Sequence, residues 1–201
     1  NDVVEEALKV AIGKKKKRKP LEQLYLWKNE EQFKRFNAPE NVRKMRKTVS
    51  DNKKNGYLPL SLHAPQSHYD FPSAAQNLLP LLQEHPDVDF IIYYPPISYY
   101  SYAAGGDELF WHRMKLREYV FEQTKDMSNV TIYAFDLADD LGNDLTNFMD
   151  PSHYSPVINE RIARSIAKGE HRFLYHDPQT YGTDLARRIN RYTSTFLTGG
   201  Q

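Results

Sequence analysis

The sequence predicts an α/β fold, a parallel sheet flanked by helices, and three observations carry that prediction. Val88-Asp89-Phe90-Ile91-Ile92-Tyr93-Tyr94 is mostly apolar and aromatic and reads as a centrally buried strand. Val130-Thr131-Ile132-Tyr133-Ala134-Phe135 reads as a second buried strand. A long helix, Asp107 to about Met127, lies between them, and a turn and another helix follow. Strand, loop, helix, strand, turn, helix is the order of a parallel three-layer sheet with right-handed crossovers.

Composition sets the outer limits. A chain of 201 residues suits one domain, with room for an extension, and can bury a substantial core. Lys and Arg (27) nearly balance Asp and Glu (26), which argues against a polyanion binder as a whole. Cysteine is absent, so disulfides, thiolate metal sites and a Cys nucleophile are excluded. Both the cytosol and an extracytoplasmic compartment remain open on that count. No apolar run approaches a transmembrane span, and no signal peptide is visible. The chain opens at Asn1 without Met, so upstream sequence is expected.

In chain order, Asp2 to Ile12 reads as a short helix with Val3, Ala7, Leu8 and Ile12 on one side. Lys14-Lys15-Lys16-Lys17-Arg18-Lys19 follows. Such a run can contact nucleic acid or an anionic membrane, but no stacking platform or base-reading motif accompanies it, and a solvated loop is the better reading. Leu21 to Phe36 and Pro39 to about Lys53 read as two helices, a helical excursion in the first third. Asn55-Gly56 is a break. Tyr57 to Phe71 has little periodicity, and the spacing of its His63, His68 and Asp70 fits no metal motif. Ser73 is placed to cap a helix from Ala74 to Glu84, with Asn77, Leu78, Leu81 and Leu82 on a shared face.

Pro95-Pro96 stops the first strand, because neither residue can donate to a ladder. Ile97 to Tyr102 reads as an aromatic loop and Ala103 to Gly106 as a flexible break. Ser98 lies just past the carboxyl end of that strand, where it can serve as a hydrogen-bond donor to substrate, as a substitute nucleophile, or as a cap that satisfies local backbone. No sharp Gly-x-Ser-x-Gly turn surrounds it, which favours the last. Tyr93, Tyr94, Tyr99, Tyr100 and Tyr102 can form a sugar-stacking wall or ordinary packing.

The densest chemistry lies at Phe148-Met149-Asp150-Pro151-Ser152-His153-Tyr154-Ser155-Pro156, a tight turn entering a helix. Pro151 presets φ for the turn, Ser155 stands at the N-cap and Pro156 at the first helical position. Val157, Ile158, Ile162 and Ile166 give the helix a buried face. Asp150, three residues before His153, can accept from the imidazole Nδ1–H, fix its tautomer and present Nε2 as a base. A turn Asp also caps backbone N–H groups and need do nothing more. The position favours the chemical reading, since in open α/β sheets sites gather beyond the carboxyl ends of the strands. After Lys168-Gly169 come a short apolar piece, Arg172 to Tyr175, and a helix from Asp184 to Phe196 with Leu185, Ile189, Tyr192 and Phe196 inward.

Three features taken in order resemble SGNH/GDSL-type hydrolase-like proteins of bacterial envelopes: Asn77 on a helix before the first strand, the exit Pro95-Pro96-Ile97-Ser98-Tyr99, and Asp150-x-x-His153-Tyr154-Ser155 after the second strand. The resemblance covers roughly residues 73 to 170 and corresponds to the C-terminal part of that family. It implies that Asp150 orients the imidazole and that His153 is the general base of a Ser-His-Asp triad, with Ser98, Tyr99, Asn77 and Tyr154 as substrate-lining candidates. It implies ester hydrolysis or O-acyl transfer on an acylated carbohydrate or similar ester, no metal or organic cofactor, and an extracytoplasmic or envelope location.

The family's nucleophilic Ser, in a Gly-Asp-Ser-like turn after the first strand, has no counterpart in this sequence, and its Gly and Asn oxyanion donors are not identifiable. The expectation is therefore a C-terminal portion lacking its N-terminal strands, inactive alone, with the missing N-terminal segment of the same protein as a partner. The implied organisation is a helical region with a basic loop (1–56), an α/β part (57–170) and a C-terminal extension with a helix (171–201). The rival reading is a non-catalytic module on the same scaffold that binds a glycan or a protein. Specific nucleic-acid binding ranks last.

Overall fold

The computed structural model describes residues 30–138, 141–173 and 178–198. The expected helix from Asp2 to Ile12 and the run Lys14–Lys19 lie outside these, as does most of the helix from Leu21. The described residues from 31 onward form one compact unit. Its elements are α1 (Glu30–Phe36), α2 (Pro39–Lys54), a π-helical turn (Ala74–Leu78) running into α3 (Leu79–Glu84), β1 (Phe90–Tyr94), α4 (Tyr99–Thr124), β2 (Val130–Ala134), a 3-10 turn (Leu145–Asn147), α5 (Pro156–Ala167) and α6 (Pro178–Thr198).

The expected α/β character holds in its coarse form. Helices dominate the described residues, and the sheet among them is one parallel pair, with Phe90 opposite Val130 and Tyr94 opposite Ala134. Strand β2 is covered on both faces. Ile132 and Ala134 join the main core with α2, α4 and α6, while Tyr133 and Phe135 pack with Ile158 and Ile162 of α5. Strand β1 differs from the centrally buried strand its composition suggests. Ile91 and Tyr93 are exposed, because the residues of α5 that cover Tyr133 do not extend over their side of β1. An apolar run reports strand propensity, not which face a helix will cover.

The main core is built where α4 lies against α6, with α2 against both. Val42, Met45 and Val49 give α2 its buried stripe at helical spacing. Tyr102, Phe110, Trp111, Met114 and Val120 of α4 meet Tyr181, Leu185, Ile189 and Phe196 of α6. The irregular stretch after Gly56 is pinned to these helices rather than loose. Leu58 and Leu60 are buried, Asn190 bonds both Leu60 N–H (2.8 Å) and C=O (2.9 Å), and Trp111 Nε1–H donates to Ser61 O.

Several local expectations are corrected. The aromatic segment from Tyr99 to Tyr102 is the first turn of α4, because Ser98 in extended geometry caps it and Tyr99, Tyr102 and Ala103 fall on its buried side. The expected break survives only as a kink at Gly106 (φ 71°, ψ −174°), a conformation glycine adopts without a Cβ penalty. Ser73 makes no side-chain cap bond because it already has helical φ/ψ. The inward face of that helix is Leu79 and Leu82; Leu81 and Asn77 are exposed, since the π-helical turn shifts the register of the face. On α5, Ile158 and Ile162 are buried as expected and Ile166 is half-buried, but Val157 at the first turn is 71% exposed and Ser165 is buried.

Candidate active site

The Asp150–His153 turn is held from three sides. Phe148, fully buried, pairs with Tyr154 in an isolated antiparallel bridge, and Met149 N–H donates to His153 O (2.9 Å), which closes the turn. Ser155 N–H donates to Asn147 O (2.8 Å) and fixes the entry to α5. From the end of β1, both Ser98 N–H (3.3 Å) and Ser98 Oγ–H (2.6 Å) donate to Pro151 O. The same Oγ accepts from Ser101 N–H (3.2 Å). One fully buried hydroxyl thus caps α4 and ties the exit of β1 to a turn 53 residues away.

Within the turn the two oxygens of Asp150 have separate tasks. Oδ1 accepts from the N–H groups of Ser152 (2.9 Å) and His153 (2.9 Å), the turn-capping role of such an Asp. Oδ2 lies 2.5 Å from His153 Nδ1, and an ionised carboxylate there accepts from a proton on that nitrogen. The turn-capping contacts and the carboxylate–imidazole contact are therefore both made, one set by each oxygen. Partial burial pushes the Asp150 carboxyl upward, but the Ser152 N–H, the His153 ring and the His153 N–H outweigh it and hold it below its ordinary value. The pair faces water, with the His153 side chain 54% exposed and that of Asp150 40%.

The remaining expected site residues separate. Ser98 has no exposed surface and neither lines a cleft nor can meet a substrate as a nucleophile; its hydroxyl is consumed by the tie to Pro151. Tyr99 is buried, donates from its hydroxyl to Asp136 O (3.1 Å), and packs edge-on against Tyr192. Its N–H donates to Gly142 O (2.6 Å), and a Cβ at Gly142 would fall 2.5 Å from the Tyr99 ring, so a glycine is needed for that approach. Asn77 lies in a largely apolar groove with Phe71, Leu81, Ile92, Tyr94 and His112, a lining that does not include the Asp150–His153 turn, and it bonds Ser73 O (3.1 Å). Tyr154 does stay at the turn. Burial, followed by the neighbouring Tyr93 hydroxyl, pushes its phenol upward. Of the five tyrosines that suited either a stacking wall or ordinary packing, Tyr93 alone is exposed; Tyr99 and Tyr102 are core, and Tyr94 and Tyr100 pack against Phe173 and Phe196.

Sequence reasoning missed the polar centre of the core. Asp136, two residues past β2, is fully buried and paired with Arg117 of α4 through both carboxylate oxygens. Tyr102 (2.5 Å) and Tyr181 (3.3 Å) donate their hydroxyls to the same carboxylate. The Arg117 guanidinium also sits 4.7 Å from the centre of the Tyr94 ring. Burial works against the Arg117 charge, but Asp136, Tyr102 and Tyr181 outweigh it and raise its pKa further. The one signal in the sequence was a carboxylate at a strand's carboxyl end; its partner 19 residues earlier is found only once α4 is folded back on β2. Among the described residues, no three His, Asp or Glu side chains converge as a metal site. No described helix is long and apolar enough to cross a membrane.

Compared with family models, with curated proteins and with solved structures, the chain matches none.

Proposed function

We propose that Asp150 and His153 are the carboxylate and general base of a Ser-His-Asp hydrolase or O-acyltransferase. Its substrate is an acylated carbohydrate or similar ester, and its Ser is supplied from sequence upstream of Asn1. The supporting observation is the division of labour at Asp150: one oxygen locks the turn, the other lies 2.5 Å from His153 Nδ1, and the imidazole stands at the surface. A carboxylate on Nδ1 sets the tautomer that offers Nε2 as the base. The burial of Ser98 removes the hydroxyl in the described residues that the sequence nominated as a nucleophile. The SGNH-like three-layer scaffold, with β1 and β2 as part of its sheet, and an envelope location belong to the same proposal.

In the proposed reaction His153 Nε2 takes the Ser proton as the Ser oxygen attacks the ester carbonyl. The imidazolium then returns that proton to the departing alcohol, leaving an acyl-enzyme. Water completes hydrolysis, or a sugar hydroxyl completes transfer, by the same proton path. General-base assistance of this kind is worth about 10²–10⁴-fold.

The test is labelling by a fluorophosphonate probe of this chain and of a longer product that includes upstream sequence, with peptide mapping and a His153→Ala control. The proposal expects labelling only in the longer product, at an upstream Ser, and its loss in His153→Ala. Labelling inside this chain would overturn the placement of the nucleophile. No labelling in either product would overturn the triad and leave a binding module on the same scaffold.

A further inference from the structure

A second cavity, of about 380 Å³, lies between α2, the 143–146 segment and the last turns of α6. Its polar groups are Asn37, Arg46, Asn143, Asp144, Thr146 and Thr195. Val42, Leu145 and Phe196 supply an apolar wall.

Arg46 is the unusual member. Its guanidinium stacks over the Phe196 ring at 5.4 Å, and that ring stacks in turn on Tyr192 (5.3 Å, 16° between planes). Nε is sealed from solvent with no hydrogen-bond partner. The terminal nitrogens are not among the sealed atoms. Arg46 makes no hydrogen bond or ion pair with any described residue. Asp144, the carboxylate on the wall, makes no ion pair with Arg46; its Oδ1 accepts from Thr146 N–H (2.8 Å) and Oγ1–H (2.6 Å). A guanidinium fixed by stacking, with its terminal donors unpaired in a cavity, is preorganised for a carboxylate or another oxyanion, because little side-chain freedom is lost on binding. The apolar wall selects among oxyanions. A bare phosphate leaves it wet, whereas a carboxylate carrying an apolar body covers it.

We propose that this cavity is a binding site for a small organic carboxylate, held by the terminal N–H groups of Arg46 with its apolar portion against Val42, Leu145 and Phe196. Thr195 and Asn143 lie within the same lining and supply neutral hydrogen bonds. The site shares no lining residue with the Asp150–His153 turn, so it stands or falls separately from the proposed esterase.

The experiment is a saturation-transfer NMR titration of the full chain with benzoate, with benzyl alcohol as its uncharged counterpart and with inorganic phosphate as a competitor. Benzoate should bind with a Kd below about 1 mM and at least about tenfold more tightly than benzyl alcohol. Arg46→Gln should erase that preference, Arg46→Lys should keep part of it, and His153→Ala should leave it unchanged. Melting curves show whether the Arg46→Gln protein is folded, and the benzoate–benzyl alcohol comparison on the unaltered chain decides without it. Equal binding of the two ligands, or no saturable benzoate binding, would overturn the proposal. Displacement of benzoate by an equal concentration of phosphate would overturn the assignment to an organic carboxylate.

Discussion

Two carboxylates beyond the carboxyl end of β2, Asp136 and Asp150, each meet a basic side chain, and the two pairs differ in almost everything else. Arg117–Asp136 is sealed, with side chains 5% and 0% exposed, and both carboxylate oxygens are met by donors. Asp150–His153 is half in water and makes one contact between the partners' side chains. A buried ion pair persists only when nearly every donor and lone pair is matched, and matching of that kind fixes it in one state. An exposed pair contributes little to stability and keeps the freedom to change protonation, which acid–base chemistry requires. The first pair builds the scaffold; the second is the candidate for reaction.

The largest expected effect breaks the buried pair. Asp136→Ala leaves Arg117 charged and uncompensated and should cost about 3–5 kcal/mol, read from urea unfolding. Replacing both partners with apolar residues, Arg117→Met with Asp136→Leu, should cost less than the single change, because no orphan charge remains. The matching change at the exposed pair, His153→Ala, should shift stability by no more than about 0.5 kcal/mol. Comparable losses at the two pairs would collapse the distinction.

A smaller effect is expected where the two regions are joined. Ser98→Ala removes the α4 cap and the side-chain bond to Pro151 O, and should cost about 1–2 kcal/mol. The same change should leave fluorophosphonate labelling of the longer product in place, since Ser98 acts on the turn and not on substrate.

The smallest effect is a pH dependence. The Asp150 carboxyl titrates below its ordinary 3.8 when folded, so its contribution is complete above that value and is lost as pH falls through the lower folded one. The melting-temperature gap between the unaltered chain and Asp150→Asn should therefore shrink from about pH 6 to about pH 3. A gap that widens on acidification would contradict the hydrogen-bond pattern at Oδ1 and Oδ2.

What was legible in the sequence follows from which signals are local. Helices α2, α5 and α6, both strands, and the Asp150–His153 contact are written within a few residues of one another, in periodicity, proline placement and spacing. The start of α4 is not legible because Tyr99-Tyr100-Ser101-Tyr102 carries no strong helix propensity; the Ser98 cap and the packing of Tyr99 and Tyr102 override it. The roles of Ser98 and Asp136 depend on partners 53 and 19 residues away, Pro151 and Arg117, which no local pattern announces. Asn77 joined the expected site only through the resemblance, and the fold places it in another groove.

Whether Asp150 sets His153 up as a base is read from the tautomer of the neutral ring, by long-range ¹H–¹⁵N correlations at pH 8. A proton on Nδ1, held by Asp150 Oδ2, with Nε2 unprotonated, is expected, as is loss of that preference in Asp150→Ala. A proton on Nε2 in the unaltered chain would mean that Asp150 does no more than cap the turn, and that His153 is not set up as a base.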